Sequence, residues 1–172
     1  MSRSDRAKAA AKAMCVAVAM SLLAGPGLPA APLTIAVADF DFIDTSGEVK
    51  DQSAEHRSRV AQFAELVREN LGAGGDYRVL PLDCPEHPCT PVSMHPDDFI
   101  AAARRSGAQL VVYGGIRKMS TLVQWGEVQL LDLDNEQLLL RRTVTFRGDN
   151  DEAYRRAAAF VGDTVRDAIA RR

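Results

Sequence analysis

The sequence predicts an αβ fold: a mixed sheet of about five strands in the order β-α-β-α-β-β-β-α, with helices packed on the sheet. Three observations carry this. Gln109 to Arg147 reads as three consecutive strands of an antiparallel meander. Leu110-Val111-Val112-Tyr113 is apolar at every position, as in a strand covered on both faces. Upstream and downstream, apolar residues instead recur at spacings of three and four, the period of a helix with one buried stripe.

The elements follow in order. Leu33 to Phe42 alternates Leu33, Ile35 and Val37 with small residues, as a strand under helices does. It runs into an acidic loop in which Asp44-Thr45-Ser46-Gly47 is turn chemistry. Gln52 to Leu71 is a helix that Asp51 or Ser53 can cap, with Val60, Phe63, Ala64, Val67 and Leu71 as its stripe and Gly72, Gly74 and Gly75 as its stop. Tyr77 to Leu82 is a short strand. The proline-dense segment after it excludes regular structure. Asp97 to Arg105 is a short helix behind a His95-Pro96-Asp97 start and ahead of Gly107.

The meander follows, with turns at Ser120-Thr121 and Asp134-Asn135-Glu136. Its last strand is read with Leu138, Leu140, Val144 and Phe146 on one side and Arg141, Thr143 and Thr145 on the other. Asp149-Asn150-Asp151 caps a final helix to about Ala170, whose apolar face is Tyr154, Ala157, Ala158, Val161, Val165 and Ile169. Gly114-Gly115 within a strand predicts a bulge or a close backbone approach. It is not a phosphate loop, because no helix follows.

Residues 1–31 read as an export signal. Arg3, Arg6, Lys8 and Lys12 form a positive n-region, Ala13 to Gly25 an apolar core, and small residues around Pro29-Ala30-Ala31 a cleavage site. An uncleaved anchor is the alternative. Residues 32–172 then form a single αβ domain expected in the periplasm, without stable membrane insertion. The whole chain carries 21 basic and 23 acidic residues; removing the signal leaves 17 and 22, a net charge of −5. That balance argues against nucleic acid as a partner.

Export makes Cys84 and Cys89 a candidate disulfide, which would close a very small loop. The rival reading is a copper or zinc site from Cys84, His87 and Cys89 with His95 nearby. The first strand, Ile35-Ala-Val-Ala-Asp-Phe40, and the later strand, Gly107-Ala-Gln-Leu-Val-Val-Tyr-Gly-Gly115, resemble the periplasmic αβ domains of the curli-secretion lipoprotein and the TolB N-terminal domain. Asp39 to Glu48, His56, Tyr113 to Ser120, Gln124-Trp125 and Phe146 to Asp151 resemble the strings of a family of small exported proteobacterial proteins of the DUF3280/DUF2380 type. That resemblance implies a secreted soluble domain and carries no activity with it.

The candidate binding residues are Asp39, Asp41, Asp44, His56, Lys118, Trp125, Arg147, Asp149 and Asp151. If the first and last strands run the same way, the acidic groups and His56 approach one another at the strands' carboxyl ends, where αβ sheets favour ligands. No cofactor is expected. The alternative is a divalent or other hard cation held by Asp39, Asp41 and His56. The plainer reading has Asp151 capping a helix, Asp44 making a turn, Arg147 neutralising an acidic neighbour, and His56 a buried residue with one partner. Arg117 to Thr121 reads as a basic hairpin tip that is solvated, its charges keeping the strand edge from pairing, or that takes an anionic group or a partner protein. Trp125 reads as core packing, with an interface role as the alternative.

No G-x-S-x-G, H-E-x-x-H or Walker pattern occurs. A hydrolase would have to use His56, with Ser46 and Asp39. The function expected from these features is a non-enzymatic binding or accessory module for a periplasmic partner protein or small ligand. Metal binding is the first alternative and hydrolysis the second.

Overall fold

A computed structural model describes residues 31–85 and 88–172. The export segment read over 1–31 therefore lies, but for its last residue, outside the described residues, as do Cys15 and His87. The observed order is β1 Leu33–Asp44, α1 Ser53–Gly72, β2 Tyr77–Leu80, α2 Pro96–Arg105, β3 Leu110–Lys118, β4 Val123–Asp132, β5 Gln137–Arg147 and α3 Asp151–Ala170. This is the expected order of elements in an α+β fold. The five strands form one sheet in the order β2-β1-β3-β4-β5. β1 is parallel to β2 and β3, while β3, β4 and β5 are antiparallel in sequence. β1, β3 and β5 consequently end at the same edge.

Helices α1 and α3 cover one face. Their stripes, His56 to Leu71 and Ala153 to Ala168, bury against Ile35, Val37, Phe40, Leu110, Val112, Ile116, Val128 and Leu130. Phe63 sits edge-on to Phe40 and Tyr154 at 4.9 and 6.3 Å. Each such aromatic contributes about 1.5–3 kcal/mol through removal from water. The short helix α2 covers only the amino-terminal half of the other face, packing Phe99 and Ala103 against Ala36, Ala38 and Val111. The remaining half of that face is bare.

Two bulges set which side chains reach the core. In β1 the register slips between Val37 and Phe40. One extra residue is thereby absorbed, and Phe40 and Phe42 join Ile35 and Val37 under α1 when strict alternation would send them to the other face. Gly114 is the strand position opposite Phe40. A Cβ there would lie 2.0 Å from the Glu127 carbonyl oxygen and 3.1 Å from Phe40 Cε1, so the approach requires glycine. In β5 the slip falls at Leu139. Leu139 and Leu140 both pack on the α1/α3 core, while Leu138 pairs with Leu131 and is exposed. This corrects the simple alternation expected of that strand.

The caps also differ in detail. Gln52 is the residue before α1 and makes no side-chain cap; Asp51 Oδ1 instead accepts the Ser53 amide at 2.9 Å. His95 caps α2 through Nδ1, which accepts the Asp97 amide. Asn150 caps α3, its Oδ1 accepting the Ala153 amide at 3.0 Å. Asp151, expected as a cap, is left to serve another partner. Among the described residues no helix is long and apolar enough to cross a membrane.

Candidate functional site

The carboxyl ends of β1, β3 and β5 converge on a buried ammonium. β3 alternates strictly from Val112 through Ile116, so Lys118 falls on the core face, and it is fully buried. Its strand partner in β1 is Asp44. Lys118 Nζ hydrogen-bonds Glu48, from the β1–α1 loop, and donates to Asp149 Oδ2 at 2.9 Å; Asp44 Oδ2 is 3.9 Å away. Gly148, at φ 106, turns the chain out of β5 ahead of Asp149. His56 is buried on the first turn of α1, stacked on Phe42 at 4.8 Å, with Nε2 2.8 Å from Asp149 Oδ2 and Nδ1 3.9 Å from Asp44 Oδ2. A carboxylate only accepts, so Nε2 of His56 carries a proton. One turn on, Arg59 closes the other side, donating to Asp149 Oδ1 at 3.0 Å and Asp151 Oδ1 at 3.1 Å.

The electrostatics follow from this packing. Burial works against the Lys118 ammonium, but its hydrogen bonds to Glu48 and Asp149 outweigh burial and hold it above the ordinary lysine range. Burial likewise opposes the Asp149 carboxylate, and the His56 and Lys118 hydrogen bonds overcome it, leaving Asp149 below the usual range. Glu48 is lowered chiefly by the Lys118 hydrogen bond, and Asp44 chiefly by Ser46, whose hydroxyl donates at 2.6 Å. These groups are all charged at neutral pH, and each faces a partner. Beneath them the side-chain amide of Gln124, the strand partner of Lys118, and the Tyr154 hydroxyl are buried without a hydrogen-bond partner among the described residues.

A pH dependence follows. Asp44, Glu48 and Asp149 have folded pKa values depressed below the unfolded ones. Their contribution is therefore complete above about pH 4.5 and is lost as pH falls through and below about 4. Lys118 is raised, so its share is complete below about pH 10.5 and is lost above that. Asp41, raised by burial despite its hydrogen bond from Thr90, works the other way at the acidic end. Urea midpoints should fall between about pH 5 and pH 3. A flat profile there would mean that the cluster does not stabilise the fold.

The structure divides the predicted site residues. Asp44, His56, Lys118, Asp149 and Asp151 meet in or beside the cluster. Lys118 is the core-facing residue of β3 and not part of a solvated tip, which corrects the reading of the 117–121 stretch as uniformly surface-exposed. Asp39 and Asp41 belong elsewhere. Asp39 accepts the Cys89 amide at 2.9 Å and faces Arg68, and Asp41 accepts the Thr90 hydroxyl at 2.7 Å. Both anchor the loop of the Cys84–Cys89 disulfide.

Asp39, Asp41 and His56 therefore do not converge on a cation. Among the described residues no cluster of three or more His, Cys, Asp or Glu side chains is placed to hold a metal ion. The positions around Asp149 are taken by ammonium and guanidinium groups, and the thiols that copper or zinc would need are bonded to each other. The hydrolase grouping is not assembled either: Ser46 bonds Asp44, and Asp39 is committed to the cysteine loop. Arg147 is exposed and enters no ion pair among the described residues, and Trp125 is 38% exposed on the bare face, not core. Glu48 and Arg59 join the site from outside the candidate set, and Arg59 has the weaker signal. The one signal for Arg59 is a position one residue off the α1 stripe, three residues from His56.

Beside the cluster lies an open groove of about 1580 Å³. It runs along α1, between the carboxyl ends of β1 and β2 and the cysteine loop. Phe42, Arg57, Ala61, Glu65 and Leu82 are among the residues that line it.

Comparison with known proteins places this geometry. A search of curated proteins finds no match. Among solved structures the chain is similar to TolB from Acinetobacter baumannii, with 18% identity and a TM-score of 0.53, over 81% of this chain and 28% of that one. It spans little more than a quarter of that protein's length. It is also similar to the PelC dodecamer from Paraburkholderia phytofirmans (17% identity, TM-score 0.46, 76% and 86% of the two chains). A third is lipoprotein GNA1162 from Neisseria meningitidis (16%, 0.40, 81% and 96%). At these identities the likeness is one of fold. The family model described as a protein of unknown function (DUF2380) matches residues 33–164, from the start of β1 well into α3, and the chain belongs to that family, DUF3280.

Proposed function

We propose that the protein is an exported, non-enzymatic accessory domain that receives a segment of a partner protein in the groove alongside α1. The observation that carries this reading is the groove itself: about 1580 Å³, at the carboxyl ends of parallel strands, beside ionisable groups already neutralised by one another. Pockets for small molecules measure roughly 300–1,000 Å³, so the size favours a polypeptide segment over a small ligand. The saturated cluster supports binding over catalysis. His56 is committed to Asp149, and Lys118 to two carboxylates, so neither is poised as a base or nucleophile. The export reading rests on the basic and apolar run of residues 1–31 and on the Cys84–Cys89 bond, which suits an oxidising compartment.

The test is cross-linking and capture from the cell envelope with tagged wild-type protein and with Ala61→Trp. Ala61 is exposed on the groove wall. The indole should block the groove, removing the captured partner while leaving the melting temperature unchanged. The same partner on both proteins, or none on either, would count against this reading.

A further inference from the structure

The free edge of β5 and the uncovered sheet face beside it form a second surface, centred at the opposite end of the strand order from β2. β5 is the last strand in the sheet order, and beyond its pairing with β4 its outer backbone edge makes no backbone hydrogen bond among the described residues. It is 11 residues long and carries Arg141, Arg142 and Arg147, with no acidic residue. Across the sheet, Ile43, Arg117, Trp125 and Thr145 form one register row on the face that α2 leaves uncovered. Ile43 is 50% exposed, and Arg117, Thr143, Thr145 and Arg147 are exposed as well.

The charges here are unanswered. Arg141 pairs with Glu127 at 3.2 Å, but Arg117, Arg142 and Arg147 enter none of the ion pairs among the described residues. Two free guanidinium groups, Arg117 and Arg147, on the face of an exposed tryptophan are unexpected where acidic residues outnumber basic ones by 22 to 17 beyond residue 31; Arg142, opposite core-facing Val128, lies on the other face. Long, uncovered edges invite another strand. A second copy of this chain fits poorly. A two-fold antiparallel pairing centred on β5 would set Arg142 against its own copy, and directly opposed like charges destabilise.

We propose that β5 accepts an acidic, extended peptide segment of another protein as a sixth strand. The ladder would be made by main-chain hydrogen bonds, with the segment's carboxylates on one face, toward Arg141 and Arg147, and that same face lying along Trp125. This surface lies at the far edge of the sheet from the groove wall formed by β1 and β2, so it stands or falls separately from the groove reading.

Trp125 is the single tryptophan of the chain, so its emission reports this face alone. The probe is a peptide of about ten residues, alternating glutamate and threonine, titrated into the purified protein at low salt. A saturable change in Trp125 emission is expected. The affinity should drop on the order of tenfold in the Arg141→Glu/Arg147→Glu double variant, whose two positions share the Trp125 face. It should drop comparably when alternate peptide amides are N-methylated, because the ladder needs its N–H groups. Ala61→Trp, followed by calorimetry because it adds a second tryptophan, should bind the peptide as wild type does. Three results would each overturn the proposal: equal binding of the lysine–threonine counterpart, undiminished binding of the N-methylated peptide, or indifference to the arginine reversals. So would an emission change produced by a carboxylated polysaccharide and not by the peptide, which would assign the face to sugar.

Discussion

Lys118→Met is expected to destabilise the protein by about 3 kcal/mol, the low end of the cost of breaking a buried ion pair. The substitution keeps most of the volume and removes the charge. Asp149, only 10% exposed, is then left with His56 and Arg59 but without its ammonium. The low end applies because the rim is wet: Asp44 is 38% exposed and can draw on water. The proper measure is a double-mutant cycle by urea unfolding. Lys118→Met combined with Asp149→Asn should cost clearly less than the sum of the two single changes, since the second removes the charge that the first stranded. Additive effects, or a Lys118→Met protein within about 0.5 kcal/mol of wild type, would show that the ammonium is not desolvated in solution.

Gly114→Ala is expected to cost about 3 kcal/mol or more, at the severe end of overpacking, and to reduce soluble yield. The obstruction is not a movable side chain. A Cβ at Gly114 meets the Glu127 carbonyl oxygen at 2.0 Å, so the β3–β4 ladder must open at the centre of the sheet. The ring of Phe40, at 3.1 Å, could turn aside, but only by abandoning its edge-on contact with Phe63. Gly126→Ala is the internal control. It lies in the neighbouring strand, a methyl added there meets its nearest foreign atom at 3.5 Å, and the variant should lose no more than about 1 kcal/mol. Equal midpoints for the two variants would mean that the strands at Gly114 stand further apart than this contact implies.

Much of the architecture was legible because its signals are local. The α1 and α3 stripes repeat at the helical period over 20 residues each, and neighbouring residues alone decide such a pattern. The convergence of Asp44, His56 and Asp149 was legible in part, since the strand order brings β1 and β5 to the same edge. Lys118 was not, although the information was present. Ile116 and Lys118 share a parity with Val112, but a lysine beside a turn reads as a surface group until the carboxylates that bury it are in place. Trp125 failed in the opposite sense. It lies in sequence between the apolar residues Val123 and Val128, but on its face it sits beside Arg117 and Thr145, and α2 has only 10 residues and stops short of covering it.

By itself, then, the order of residues determined the number, type and succession of elements, the two-cysteine closure and the family. The three-dimensional arrangement decided which ionisable groups share one charge cluster, which serve the disulfide loop, and which remain free on the outer strand. The reason is that periodicity is a property of adjacent residues, whereas a side chain's partners depend on register. One inserted residue in β1 and another in β5 change which face a side chain meets, and no local pattern records the strand that lies opposite.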